Sequence, residues 1–410
     1  MTKIESMIAD FIRKNIILIG FFAIAALALT VRWALLDHET GDWLCYLSLW
    51  INDLKKYDGI SGIGQEIGEY YVPYLLFLNI VARTPFNDLH EIKLFSILFD
   101  YLLAVSAVLM VCGRKKFLTG KGLAMFSAVL LSPIIFVDSA FWGQCDSIYI
   151  TALICCLYFL FRGSDRLAWI FFGIGLALKL QTVFLLPVLL IYYLTTKRIS
   201  ILRAGYAVFV FLVAALPAIF AGRGIRNTLT IYLRQAGLFK ALTLSCPNLY
   251  WIISGDYEPF RKMGILLTLS ILGLSACLFI KRQYTSKYAY MTLAVWTSMV
   301  CIFFLPEMHE RYVYLCCVLS MVWAAMTMRK LDIGVSAGIS LVCLISFKPY
   351  LFQQNEVRLD HLAICNLAFL VYLTYRLLTI PQESPAAAAE AEQIPDEKPE
   401  IPAKQSAKKK

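Results

Sequence analysis

Uncharged apolar runs alternate with short basic stretches along almost the whole chain. Positions 15–36, 96–112, 124–136, 148–161, 206–220, 263–280, 288–305, 312–328, 333–347 and 362–378 are long and nearly free of charge. About 20 apolar residues cross a hydrocarbon core, with a tolerated range near 17–25. Several of these runs fall short of that, so their helices must borrow flanking aromatic or polar residues. Lipid offers no partner to an unpaired backbone group, so every span must be helical. The pattern predicts an all-α, polytopic membrane protein of about 11–13 transmembrane helices. The first run is long and lacks a small-residue cleavage site, so it reads as a retained span behind a polar, weakly amphipathic N-terminus.

The basic stretches set an orientation. Arg13 and Lys14, Arg114 to Lys116 with Lys121, Arg162 with Arg166, and Lys197 and Arg198 with Arg203 fall on one side. Lys281 and Arg282 with Lys287, and Arg329 with Lys330, join them. Cytoplasmic loops carry such an excess, so this side is placed in the cytoplasm. That reading accounts for the net charge of +10 without nucleic acid. Residues 1–380 then form one membrane domain. Residues 381–410, rich in Ala, Pro, Glu and Lys, read as a disordered cytoplasmic tail. The opposite side holds a large first outer loop, about 37–93, in which 43–54 and 67–81 read as amphipathic helices along the interface. It also holds 141–147, 221–262, 305–311 and 348–361. The stretch 167–194 has basic flanks at both ends and only 28 residues. Two full crossings need roughly 40. A short helical hairpin is predicted, with Lys179 and Gln181 near its tip.

Composition sharpens the picture only slightly. The 410 residues are 60% hydrophobic and 16% charged, against about 45–50% and about 25% in soluble domains. The 12 cysteines show no metal-ligand spacing, and no metal is expected. Cys45, Cys145 and Cys246 fall on the outer side, where a disulfide is left open.

Polar residues in the outer segments carry the candidate chemistry. Asp42, just after the first span, reads either as a general base or as an N-cap for the helix that follows. Trp142 to Ser147 form a second outer turn, in which capping accounts for Gly143 and Asp146 but not for Gln144. Lys179 lies within an apolar hairpin, where a charge costs about 2.5–3.5 kcal/mol and a functional role, such as holding a phosphate, is the default. Glu307, His309, Glu310 and Arg311 crowd one short turn; His and Arg can donate to phosphate oxygens, Arg in a bidentate fork. Arg223, Arg226, Arg234 and Lys240 make an outer loop basic against the general trend, which suits a lipid phosphate or diphosphate. A wet acid beside phosphate-binding cations, at the edge of an apolar bundle, fits a lipid-phosphate substrate.

These motifs resemble the GT-C superfamily of membrane glycosyltransferases, and more narrowly the bacterial relatives of the mannosyltransferases of GPI-anchor assembly. The dolichyl-phosphate-glucose-dependent glucosyltransferases are more distantly similar. Gly41-Asp42-Trp43 with Trp50, Tyr70 to Tyr74, Lys93 to Ser96 with Asp100, Phe141 to Ser147, Leu178 to Gln181, Cys246 to Tyr250 and Met308 to Tyr312 carry the resemblance, in order, over roughly 30–315. It implies an inverting transfer of a hexose from a polyprenyl phosphate to an extracytoplasmic glycan or glycolipid, without a cofactor. It implies Asp42 as the base and Lys179, His309 and Arg311 around the donor phosphate. Tyr71, Trp142, Gln144, Asp146, Gln181, Asn248 and Glu310 follow as substrate-binding candidates. Tyr71-Val72-Pro73-Tyr74 departs from the family's Tyr-x-Pro-Leu, which leaves the sugar and acceptor open. Rival readings are a flippase or transporter of a lipid-linked sugar, and a glycan polymerase or ligase using a diphosphate lipid. No Asn-x-Ser/Thr sequon falls in an outer loop, which points to a bacterial plasma membrane.

Overall fold

A computed structural model describes residues 2–235, 239–354 and 356–381. The tail from 382 on lies outside the described residues. The helices run in the order α1 (Lys3–Trp33), α2 (Ser48–Leu54), α3 (Val72–Val81), α4 (Asp88–Cys112), α5 (Gly120–Leu130), α6 (Pro133–Phe136), α7 (Asp146–Leu160), α8 (Asp165–Leu176) and α9 (Leu186–Thr196). Then come α10 (Gly205–Phe220), α11 (Ile225–Leu229), α12 (Ile231–Gln235), α13 (Tyr257–Arg282), α14 (Lys287–Phe304), α15 (Val313–Thr327), α16 (Lys330–Ser346), α17 (Lys348–Phe352) and α18 (Leu359–Leu378).

Seven helical stretches are long and apolar enough to cross a membrane: α1, α4, Ile201–Phe220, α13, α14, Lys330–Phe352 and α18. α5 and Pro133–Trp142 make an eighth when taken as one span bent by 43°. The chain is an integral membrane protein and mostly helical. Its other apolar runs give shorter helices, among them α3, α7 and Leu180–Thr196. A short helix is tolerated here because its neighbours shield it. α7 is buried on nearly every face, packed between α4 and α8. α14 and α15 form the centre of the core, with almost no lipid-facing position. A helix apolar all round is a buried one.

Proline makes the bend. Pro133 has no N–H to continue the helix and its ring crowds the preceding turn, so α5 stops at Leu130. The same residue restarts the chain as the first residue of α6, where a missing N–H costs nothing. A π-helical turn, Val137–Trp142, follows and ends at Gly143, whose φ of 81° a side chain would strain.

The predicted hairpin is present: α8, a break at 177–179, a 3-10 stretch Leu180–Leu185, then α9. The first outer loop is less helical than the pattern suggests. Its first amphipathic stretch is a π-helical turn, Trp43–Leu47, running into α2. Residues 67–71 are not helical, because Gly68 turns the chain at φ 69° beneath the Trp50 ring. One small departure from an all-α fold is a two-residue parallel pair, β1 (Thr243–Leu244) with β2 (Met308–His309).

Two buried ion pairs tie the bundle. Arg32 at the end of α1 meets Asp100 of α4 at 2.8 Å and also donates to the Leu130 carbonyl at 2.9 Å. Asp332 of α16 meets Arg376 of α18 at 2.6 Å. All 12 cysteines are free thiols, so the disulfide left open among Cys45, Cys145 and Cys246 is not formed.

Candidate active site

The site begins with how the chain leaves α1. Lys93, fully buried in α4, sends its ammonium to the carbonyls of Leu35, Leu36 and His38 at 2.9, 3.1 and 2.6 Å. The Leu35 carbonyl also accepts from the His38 N–H at 3.3 Å, and the lysine fixes the turn that delivers Asp42. Thr40 adds a bond from its hydroxyl to the Trp142 carbonyl at 3.2 Å.

Asp42 itself sits in helical conformation, and its side chain makes no cap bond. Of its two readings from sequence, capping therefore fails. Its carboxylate is instead a shared acceptor. Trp142 Nε1 donates to Oδ2 at 3.0 Å, Gln144 Nε2 donates to the same oxygen, and the Tyr350 hydroxyl donates to Oδ1. The Trp142 and Tyr350 rings stack at 5.3 Å between centroids, so the two donors brace each other.

Gln144 links the acid to a cation. Its Oε1 accepts from Arg311, whose Nη1 lies 3.9 Å from Asp42 Oδ2. The guanidinium covers the Trp142 face at 5.2 Å, and its buried Nε has no hydrogen-bond partner among the described residues. The Glu310 carboxylate stands 3.7 Å from that Nε, too far for a hydrogen bond, so an anion could still take the donor.

Lys179 occupies the break in the hairpin, where extended backbone turns it inward. It donates to the fully buried Asp146 at 2.5 Å, between the rings of Tyr149 and Tyr312. It therefore does not snorkel toward water. His309 is held in β2, with its ring against Phe239 and Tyr312. Burial pushes its imidazole down to about 3, and Arg311 and Lys179 push the same way. It is neutral at pH 7, able to give a hydrogen bond but no charge. Burial pushes the Glu310 carboxyl up to about 7, against the pull of Arg311.

These groups face one cavity of about 360 Å³. Asp42, Tyr71, Gln144, Lys179, Gln181, His309, Glu310 and Arg311 all line it. Trp142 and Asp146 stand just behind the wall, holding Asp42 and Lys179. The remaining candidates lie off the cavity. Asn248 is buried elsewhere and caps the turn Leu249–Trp251 through the Tyr250 N–H at 3.2 Å. Of the outer-loop arginines, Arg223 is buried, Arg226 is exposed, and Arg234 pairs with Glu66 at 3.0 Å. None of the three lines the cavity.

Sequence reasoning missed Tyr350. It lies in the last outer segment, far in sequence from every motif, and its only signal was an aromatic residue following Lys348-Pro349. Tyr46, Glu69, Tyr232 and Phe239 also line the cavity and were not singled out. No group of three or more metal-ligating side chains occurs among the described residues.

No protein-family profile matches the chain. Over 119 residues it is 31% identical to GPI mannosyltransferase 1 of Kluyveromyces lactis. The match spans 29% of this chain and 29% of the relative. The protein thus has a partial, distant similarity to a GPI mannosyltransferase.

Proposed function

We propose that the protein is an inverting GT-C glycosyltransferase that moves a hexose from a polyprenyl phosphate to a glycan or glycolipid hydroxyl. The observation that carries this is the placing of Asp42. A carboxylate with no capping duty lines a cavity, held by three donors, 3.9 Å from an arginine whose buried Nε makes no hydrogen bond and faces Glu310 at 3.7 Å. The partial similarity to a mannosyltransferase supports the same class. On this reading the cavity mouth faces the outer side of the membrane, because the basic clusters of the opposite loops mark the cytoplasmic side.

The acceptor hydroxyl gives its proton to Asp42. Its oxygen attacks the anomeric carbon from the face opposite the phosphate. The bond from carbon to phosphate oxygen breaks, and the electron pair leaves on polyprenyl phosphate. Arg311 and Lys179 stabilise that growing charge, and neutral His309 adds a hydrogen bond; preorganised donors of this kind commonly supply the largest share of catalysis. Trp142, Gln144 and Tyr350 hold the carboxylate without neutralising it. The aromatic walls, Trp50, Tyr70, Tyr71 and Tyr232, suit the apolar faces of sugar rings.

A general base is worth about 10²–10⁴-fold. Asp42→Asn keeps the shape and can still accept hydrogen bonds, yet cannot take the proton. With purified protein and radiolabelled polyprenyl-phosphate hexoses, transfer should drop at least about a hundredfold while donor binding persists. Near-native turnover with saturating acceptor would overturn the reading. A flippase would move donor across vesicles in both proteins without transferring sugar.

A further inference from the structure

A second cavity, of about 930 Å³, lies between other helices. One wall is α5 with the bend at residues 131–134, and the other is the end of α15 with α16. Among its lining residues Ala124, Ala128, Ala324, Ala325 and Ala337 leave the room that larger side chains would fill. Lys121, in the first turn of α5, lines it too. Met328 and Ile333 line it as well, and they bracket Arg329 and Lys330 in the chain. All three cations are exposed, and none makes a side-chain ion pair among the described residues. The acid nearest in sequence, Asp332, is buried and taken by Arg376 at 2.6 Å. Lys121 is thus the charged residue of the lining, exposed Arg329 and Lys330 adjoin it in the chain, and the rest of the lining is mainly apolar.

Dimensions fit a lipid of one leaflet. A helix rises about 1.5 Å per residue, so Lys121 to the bend at Pro133 is about 18 Å. Half of a hydrocarbon core is about 15 Å. Both walls then continue to Asp42. α5 leads through the bend to Trp142 and Gln144, and α16 leads through α17 to Tyr350.

We propose that this cavity binds one anionic phospholipid, with an acyl chain between α5 and α16 and its phosphate at Lys121, Arg329 and Lys330. The bound lipid braces the two helices that bring Trp142, Gln144 and Tyr350 to Asp42. Only the importance of that bracing rests on the glycosyltransferase reading; the binding does not. A phosphate in the interfacial layer meets Lys121 at the lining, with exposed Arg329 and Lys330 next to lining residues in the chain, and the acyl chain replaces solvent or loose lipid against apolar walls.

Native mass spectrometry of the detergent-purified protein with phosphatidylglycerol or phosphatidylcholine tests the binding. One phosphatidylglycerol should be retained at least tenfold better than phosphatidylcholine. Ala128 is exposed, so Ala128→Trp fills the groove without disturbing the core and should abolish retention. Val208→Trp, on the exposed face of α10, should not. Lys121→Gln combined with Lys330→Gln should remove the preference for phosphatidylglycerol. Equal retention by the wild type and Ala128→Trp, or no headgroup preference, overturns the site. Hydrogen exchange tests the bracing. Phosphatidylglycerol should slow exchange of the 133–142 amides at least threefold in the wild type and not in Ala128→Trp. Binding without that slowing overturns the bracing alone. Both readouts stand whether or not the protein transfers sugar.

Discussion

Each of the three donors on Asp42 can be removed separately. Tyr350→Phe deletes one hydroxyl and keeps the ring stacked on Trp142. Leaving a buried acceptor short of a partner costs about 1–3 kcal/mol. Turnover should fall about tenfold with little change in melting temperature; an unchanged rate would make Tyr350 a mere wall. Glu310 offers a pH test. Its carboxyl sits at about 7, above its ordinary value, so it is neutral in mild acid and gains a negative charge as pH rises through 7. That charge appears beside Arg311, at the proposed phosphate site. Donor KM should rise between about pH 6 and pH 8, and Glu310→Gln should flatten the rise. A wild-type KM that stays flat would separate Glu310 from the phosphate. At this scale the sequence was informative where chemistry was conspicuous. Lys179 and Arg311 stood out because charges are costly beside apolar runs, whereas Asp42 as a base came from the resemblance. Tyr350 did not, because a tyrosine near an interface is commonplace and its partner lies 308 residues away in sequence.

At the scale of elements, the long runs 96–112, 206–220, 263–280 and 362–378 reappear inside α4, α10, α13 and α18, because lipid enforces length. The short runs were harder to read. A helix enclosed by protein needs neither 20 residues nor uniform hydropathy, so α7 and α15 obey packing instead. The π-helical turns were invisible, since an extra residue in a turn leaves the apolar pattern almost intact. Yet the turn Val137–Trp142 aims Trp142 and Gln144 at Asp42, and Gly143 closes it. Gly143→Ala places a Cβ at φ 81° and should cost about 1–2 kcal/mol. A lowered melting temperature together with a lost transfer rate is expected. Stability lost with the rate retained would show that the turn does not position the donors.

The whole molecule adds constraints that no single run contains. The Asp332–Arg376 pair joins α16 to α18 in the apolar interior. Breaking a buried pair by removing one partner costs about 3–5 kcal/mol, because the other charge remains. Arg376→Leu should therefore destabilise strongly, and Asp332→Leu added to it should restore most of the loss in a thermal melt. Orientation is a property of the whole chain too. A cysteine placed at Asn52 should react with an impermeant reagent from outside, and one at Lys116 should not. The reverse pattern would invert the proposed active site.

The Arg32–Asp100 pair carries a consequence for biogenesis. The two residues lie 68 positions apart, and the Leu130 carbonyl that also binds Arg32 comes 98 positions after it. Chains grow at about 5–20 residues per second, so the arginine waits about 3–14 s for its carboxylate. During that interval the first span holds a cation in or near the bilayer with no countercharge. Standing in the last turn of α1, Arg32 can reach the headgroup layer until Asp100 arrives. The bonds that bury Arg32 are therefore complete only once both α4 and α5 have been made.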